Sequence, residues 1–257
     1  MNNPNNTAIS FHHVNKIYPN KTIALQDISF TINYGKFVTF VGPSGCGKST
    51  VLRLISKLSE VSSGKIESNI DRNKNELAFV FQEPALMPWS NVIDNVHLPL
   101  KLIGKSLRES RTIVQEAINL VGLDGFERSY PRQLSGGMKM RVSIARALVT
   151  NPRIVLMDEP FGALDEMTRS KLNSDLLRVW QERNWTVVFV THNIYEAVYL
   201  SQQVIVMAAR PGRVVADVKI DVNYPRSEDF RMSQLCNDYC REISNYLEMG
   251  VSGHYSN

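Results

Sequence analysis

The 257 residues are 43% hydrophobic and 21% charged, which is globular composition and excludes a wholly disordered chain. The net charge of +4 is dispersed, without the dense Lys/Arg run of a nucleic-acid arm, and no apolar run is long enough to cross a bilayer. Three cysteines, Cys46, Cys236 and Cys240, make neither an even disulfide framework nor a repeated CxxC site, so a reducing compartment and ordinary burial of Cys236 and Cys240 are expected.

The Asn-rich start, Met1 to Asn6, lacks a basic region followed by an apolar core and does not read as a secretory signal. From Ile23 to Asn33 the alternation predicts an antiparallel strand pair or edge with one buried face. Lys36-Phe-Val-Thr-Phe-Val41 predicts a fully buried strand, and Val51, Leu52, Leu54, Ile55 and Leu58 predict one face of a helix after it. Leu77 to Phe81, Ile154 to Met157, Thr186 to Val190 and Gln203 to Met207 are short apolar runs that suit strands covered on both faces. Between Pro84 and Thr150 no comparable run occurs, while Ser106 to Val121 and Gly136 to Val149 have helical periodicity. Val214 to Ile220 predicts one more strand, and a C-terminal helix follows from about Ser227 to Leu247.

The expected fold is therefore α/β, with a mainly parallel sheet, an antiparallel β edge and an inserted helical subdomain, and Gly42-Pro-Ser-Gly-Cys-Gly-Lys-Ser49 after the buried strand marks its core as that of a phosphate-loop NTPase. The chain reads as one domain over residues 1–257. Its core spans about 8–83 and 151–222, its helical subdomain about 84–150, and its C-terminal helix about 227–247.

Gly42-Pro-Ser-Gly-Cys-Gly-Lys-Ser49 fits G-x-x-x-x-G-K-S between a buried strand and a helix. Glycines let the backbone wrap a phosphate with N–H groups inward, and the helix dipole favours the negative charge. Gly42, Pro43, Ser44, Gly45, Cys46 and Gly47 would form this cradle. Lys48 would reach the β- and γ-phosphates, Ser49 would offer a hydroxyl to Mg²⁺, and Thr50 would cap the helix or meet the α-phosphate. Alkylating Cys46 is expected to block ATP binding, with ATP protecting. Ile154-Val-Leu-Met-Asp-Glu159 puts two carboxylates at a strand's carboxyl end, where Asp158 would hold Mg²⁺ and Glu159 would polarise an attacking water. Ser135, Gly136 and Gly137 open a helix and offer a second phosphate-binding N-terminus.

Leu134-Ser-Gly-Gly-Met138, just upstream of Asp158 and Glu159, resembles the signature motif of ABC ATPases, and the likeness runs from about Ile9 to Arg213. That resemblance implies a head-to-tail pair of copies, each ATP lying between one copy's phosphate loop and the other's signature. It further implies that Tyr18 stacks on adenine and that Gln82 contacts Mg²⁺ and water and senses the transport partner. Asp165 then crosses to the other copy, and His192 contacts the γ-phosphate. Two departures occur: Asn193 stands where many relatives carry an acid, and the stretch Ile70 to Glu76 lacks a Pro/Gly-rich turn.

Glu83-Pro-Ala-Leu-Met-Pro-Trp89, Glu196-Ala-Val-Tyr-Leu-Ser201 and Arg210-Pro-Gly-Arg213 are similar to ATPase subunits of bacterial importers for nitrate, sulfonate and taurine. This resemblance implies a peripheral subunit on the cytoplasmic face of the membrane that hydrolyses ATP with Mg²⁺. Leu86, Met87, Pro88 and Trp89 would line a groove for integral membrane permease subunits, and a solute-binding protein would act indirectly. No nucleic-acid partner is expected. An exporter or lipid-transport ATPase, or a soluble ABC ATPase of ribosomes or DNA, is the alternative. No large regulatory domain is expected after the C-terminal helix.

Overall fold

The computed structural model describes residues 6–70, 76–162 and 164–252. Most of the stretch from Ile70 to Glu76 that departs from the family pattern, and most of the Asn-rich start, lie outside the described residues. The chain divides into two compact units, residues 1–70 with 184–257 and residues 71–183.

In the first unit, strands β1 (Thr7–Ile17), β2 (Ile23–Asn33) and β4 (Ser63–Ser68) form an antiparallel sheet in the order β2-β1-β4. The alternating run from Ile23 is thus one edge strand, paired from Thr7↔Asn33 to Ile17↔Ile23, and its partner β1 was not evident from the sequence. Beside that sheet, strands run in the order β7 (Thr186–Thr191), β3 (Phe37–Val41), β8 (Gln203–Ala208), β9 (Arg213–Lys219). The first three are parallel and β9 closes the edge antiparallel. Every residue of β3 and β7 is buried, which is why both read as unbroken apolar runs without alternation. Helix α1 (Lys48–Ile55) follows β3 and buries Val51, Leu52, Leu54 and Ile55. Leu58 was expected on the same face but is 64% exposed, because the helix has already ended at Ser56.

In the second unit, β5 (Leu77–Val80) and β6 (Ile154–Asp158) pair in parallel, with helices α2 (Val92–Leu102), α3 (Leu107–Leu120), α4 (Gly136–Leu148) and α5 (Glu166–Arg183). Both helices expected here begin at a capping serine. The Ser106 hydroxyl accepts from the Glu109 N–H while Glu109 reaches back to the Ser106 N–H, and Ser135 accepts from the Met138 N–H. These bonds hold the Glu109 carboxyl below its ordinary value.

The C-terminal segment folds back over α6 (Ile194–Leu200). It forms two helices in place of the single one expected, α7 (Glu228–Arg231) and α8 (Gln234–Ser252). Cys236 and Cys240 are buried one above the other on α8, and burial raises both thiols, Cys240 to about 12, so they are packing residues. Arg226, only 4% exposed, donates to the carbonyls of Val198, Tyr199 and Ser201 at 2.7, 2.9 and 2.8 Å and lies 4.4 Å over the Tyr224 ring. A buried guanidinium thus sits on the negative end of the α6 dipole. Among the described residues no helix is long and apolar enough to cross a membrane. Arg226→Ala strands these carbonyls and is expected to cost about 3 kcal/mol. The measurement is the urea unfolding midpoint.

Candidate functional site

The phosphate loop leaves the sheet at the carboxyl end of β3, where Val41 pairs with Thr191 of β7 and Val206 of β8. Gly47 is the N-cap of α1 with φ 92°, a left-handed backbone without a side-chain cap, so the helix start keeps its N–H groups for an anion. A Cβ on Gly47 would stand 2.5 Å from Leu25 Cδ2, and one on Gly42 would stand 2.5 Å from the Met207 carbonyl oxygen. Lys48 is 5% exposed, its ammonium donating to the carbonyls of Gly42 at 2.7 Å and Pro43 at 3.1 Å. Those carbonyls hold a buried charge over the loop, from which a phosphate can take it. Pro43, Ser44 and Gly45 are exposed on the loop's crest and Ser49 is half-buried in the first turn of α1.

Thr50 lies inside α1 and not at its cap, which excludes the capping role; its hydroxyl sits 3.2 Å from the Tyr18 hydroxyl. Tyr18 is half-buried at the hairpin between β1 and β2, where its N–H donates to the Thr22 carbonyl and the Lys16 ammonium stands 5.3 Å from its ring. Ile17 and Ile23 pair across this hairpin and are each about half exposed, leaving apolar surface beside Tyr18. Neither was singled out from the sequence, although the alternation beginning at Ile23 was the available signal.

His192 is exposed directly after β7, and the residues flanking it are locked in a ring. The Thr191 hydroxyl donates to the Glu196 carboxylate, the Asn193 N–H donates to the Thr191 hydroxyl at 3.0 Å, and Asn193 Oδ1 accepts the Glu196 N–H at 3.1 Å. Asn193, a departure from the family pattern, is therefore the N-cap of α6. Glu196 is buried, and nothing in its sequence neighbourhood marked it as part of the switch segment.

In the second unit, Val80 of β5 pairs with Met157 of β6, so Gln82 and Asp158-Glu159 leave the sheet at the same carboxyl edge. Glu159 has φ 43°, a left-handed conformation that costs a non-glycine residue about 1–3 kcal/mol. The turn is closed by the Gly162 N–H donating to the Glu159 carbonyl at 3.1 Å and anchored by buried Phe161. The Asp165 carboxylate accepts the Thr168 N–H at 3.0 Å, a bond that lowers its pKa and caps the first turn of α5. Ser135 and Gly136 are exposed at the start of α4, and Gly137 lies against Thr168 and Leu164 on either side of Asp165.

The segment after Gln82 is held from below. Asn95, buried on α2, accepts from the Met87 N–H and donates to the carbonyls of Met87, Ser90 and Asn91, while Arg146 of α4 donates to the carbonyls of Pro84 and Ala85. Trp89 on this braced loop is 76% exposed. Both braces are side chain to backbone bonds that no motif advertises.

Among the described residues no three His, Cys, Asp or Glu side chains gather into a metal site. The hydroxyl of Ser49, the amide of Gln82 and the carboxylate of Asp158 are single hard oxygen donors. Oxygen donors of this kind are the ones Mg²⁺ takes. Cys46 is 0% exposed, so the thiol in the phosphate loop is not presented to reagents and its expected alkylation requires the loop to open. Iodoacetamide is expected to label Cys46 at least about tenfold more slowly in the native chain than in urea, followed by mass spectrometry of the peptide.

Residues 25–162 match the family described as ABC transporter. The chain is 42% identical over 228 residues to the aliphatic sulfonates import ATP-binding protein SsuB of Bacillus cereus, covering 86% of this chain and 90% of that protein. It is 46% identical over 232 residues to an uncharacterized ABC transporter ATP-binding protein of Methanocaldococcus jannaschii, covering 89% and 86%. Among solved structures, CbiO1 of Clostridium perfringens, part of an ABC transporter complex, superposes with a TM-score of 0.76 at 27% identity over 84% of this chain and 89% of that one. A bacterial ABC transporter cassette solved as a dimer gives 0.74 at 34% identity over 84% of this chain and 100% of that one. With the phosphate loop, the strand-end carboxylates and the signature helix in one ordered chain, the protein belongs to the ABC transporter family, as an ATP-hydrolysing subunit.

Proposed function

We propose that two copies of this chain close head to tail on two ATP molecules and drive the membrane permease of an importer for small anionic solutes of the sulfonate type. The observation that carries the coupling role is the rigidly braced loop after Gln82, whose indole stands in solvent where a partner can cover it. Likeness to a sulfonate import subunit over most of both chains supports the solute class, and the dimeric cassette supports the pairing. The subunit would sit peripherally on the cytoplasmic face of the membrane, one ATPase domain with its helical subdomain inserted in the core.

Each residue has a task in this reading. The loop from Gly42 to Gly47 offers N–H groups to the phosphates, Lys48 transfers from its loop carbonyls to the β- and γ-oxygens, and Thr50 approaches the α-phosphate. Tyr18 meets the adenine face, with Ile17 and Ile23 beside it. Ser49, Gln82 and Asp158 would hold Mg²⁺, which neutralises developing charge on the phosphoryl oxygens. Glu159, held by its left-handed backbone, takes a proton from the water as its oxygen bonds to the γ-phosphorus and the bond to ADP breaks. His192, fixed by its ring of flanking bonds, senses the γ-phosphate. Ser135, Gly136, Gly137 and Asp165 serve the nucleotide of the other copy.

Glu159→Gln is expected to bind ATP normally, lower kcat by about a hundredfold or more, and accumulate an ATP-bound dimer on size exclusion. Hydrolysis at the wild-type rate removes Glu159 from its role. Trp89→Ala is expected to keep basal ATPase activity while weakening permease binding by about tenfold or more. The assay is reconstitution with a sulfonate-importer permease pair and its binding protein, reading sulfonate-stimulated ATP turnover. Ribosome co-sedimentation in place of permease binding sinks the transport reading.

A further inference from the structure

The turn Arg210-Pro-Gly-Arg213 between β8 and β9 has no task in the reaction above. Gly212 is buried in it, and a Cβ there would stand 2.5 Å from the Ala24 carbonyl oxygen and closer still to the carbonyl oxygen of Cys46. The Gly212 carbonyl accepts the Gln26 N–H at 2.8 Å, and Gly212 bridges to Leu25. A Cβ on Gly47 would meet the same Ala24 carbonyl at 2.9 Å. Three backbone segments, the start of β2, the middle of the phosphate loop and this turn, thus meet backbone to backbone at Gly212, with the Leu25 side chain packed beside them against Gly47. The turn has its own anchor: Arg213 donates to the Gly250 carbonyl of α8 at 2.9 Å, and Gly250 is packed so closely that its Cβ would lie 2.9 Å from that of Ala208.

We propose that this turn is a positioning element for nucleotide binding. Gly212 sets the height of the Cys46 peptide, and with it the N–H cradle, while the bond from Arg213 to α8 holds the turn in place. Gly212 does not have a left-handed φ, so alanine is opposed by space alone, and the atoms it meets are backbone of the phosphate loop at Cys46 and of β2 at Ala24, which cannot swing aside. The inference rests on the phosphate-loop reading of residues 42–49.

The test is Gly212→Ala in the full chain. The KM for ATP is expected to rise on the order of tenfold to a hundredfold with a smaller change in kcat, because the cradle is displaced while Glu159 is untouched. Native-state iodoacetamide labelling of Cys46 is expected to accelerate, and ATP to slow it again. Arg213→Ala is expected to move both readouts the same way by less, with Arg213→Lys restoring part of the loss, and it carries the test alone if Gly212→Ala does not fold. Gly64→Ala, whose Cβ would collide with backbone of His13 in the β1–β4 pair, serves as the control for general destabilisation. It is expected to lower Tm without changing KM or Cys46 labelling. Wild-type KM and labelling in Gly212→Ala, or equal effects in Gly64→Ala, overturn the proposal. Lys48→Ala separates the two levels: intact ATP binding there removes the phosphate-loop reading itself, whereas its loss beside an indifferent Gly212→Ala removes only the brace.

Discussion

A phosphate loop pressed so closely against β8 and β2 that no side chain fits at Gly42 or Gly47 is the constraint around which the first unit is arranged. Bare N–H groups can surround an anion only if nothing else fills the loop, and such a loop holds its shape only if its surroundings hold it. The strand that delivers it, β3, lies between β7 and β8 and is buried on both faces, so the loop starts from a fixed edge. Lys48 is buried against the carbonyls of that loop, its charge already desolvated and within reach of the place where phosphate charge is expected.

The second unit follows the same rule with different groups. Parallel pairing of β5 and β6 places Gln82 and two carboxylates at one edge, and the turn that follows holds Glu159 in a backbone conformation unfavourable for its residue type. Such strain persists only where the surrounding turn imposes it, here through the Gly162 bond and buried Phe161. Asn95 and Arg146 do for the segment after Gln82 what the sheet does for the phosphate loop. They commit polar side chains, buried at Asn95 and half-buried at Arg146, to backbone carbonyls, and an indole is left in solvent on a rigid support.

Buried charges in the first unit are balanced by dipoles and hydroxyls. Arg226 takes the carbonyl end of α6, and Glu196 takes the hydroxyl of Thr191 at its other end. Helix α6 is thereby fixed at both termini, and His192 stands directly before it. Removing a partner from either end leaves a desolvated group with nowhere to turn, which makes these positions more sensitive than their distance from the phosphate loop suggests.

Local chemistry was legible in the sequence where one segment carries its own reason. Residues 42–49 announce an anion cradle by composition, Ser106 and Ser135 announce helix starts by their side chains, and the unbroken apolar runs of β3 and β7 announce burial on both faces. Leu58 misled because apolar spacing does not reveal where a helix stops, and β1 was missed because its register shifts and its run of four buried residues break the alternation of a strand. Only the tertiary structure decided which groups meet at long separation: Thr50 with Tyr18, Arg146 with the carbonyls after Gln82, Gly212 with Cys46. Contacts of this kind are made by backbone atoms or by common side chains. Every residue carries the same carbonyl, so no local pattern distinguishes the one that will be met.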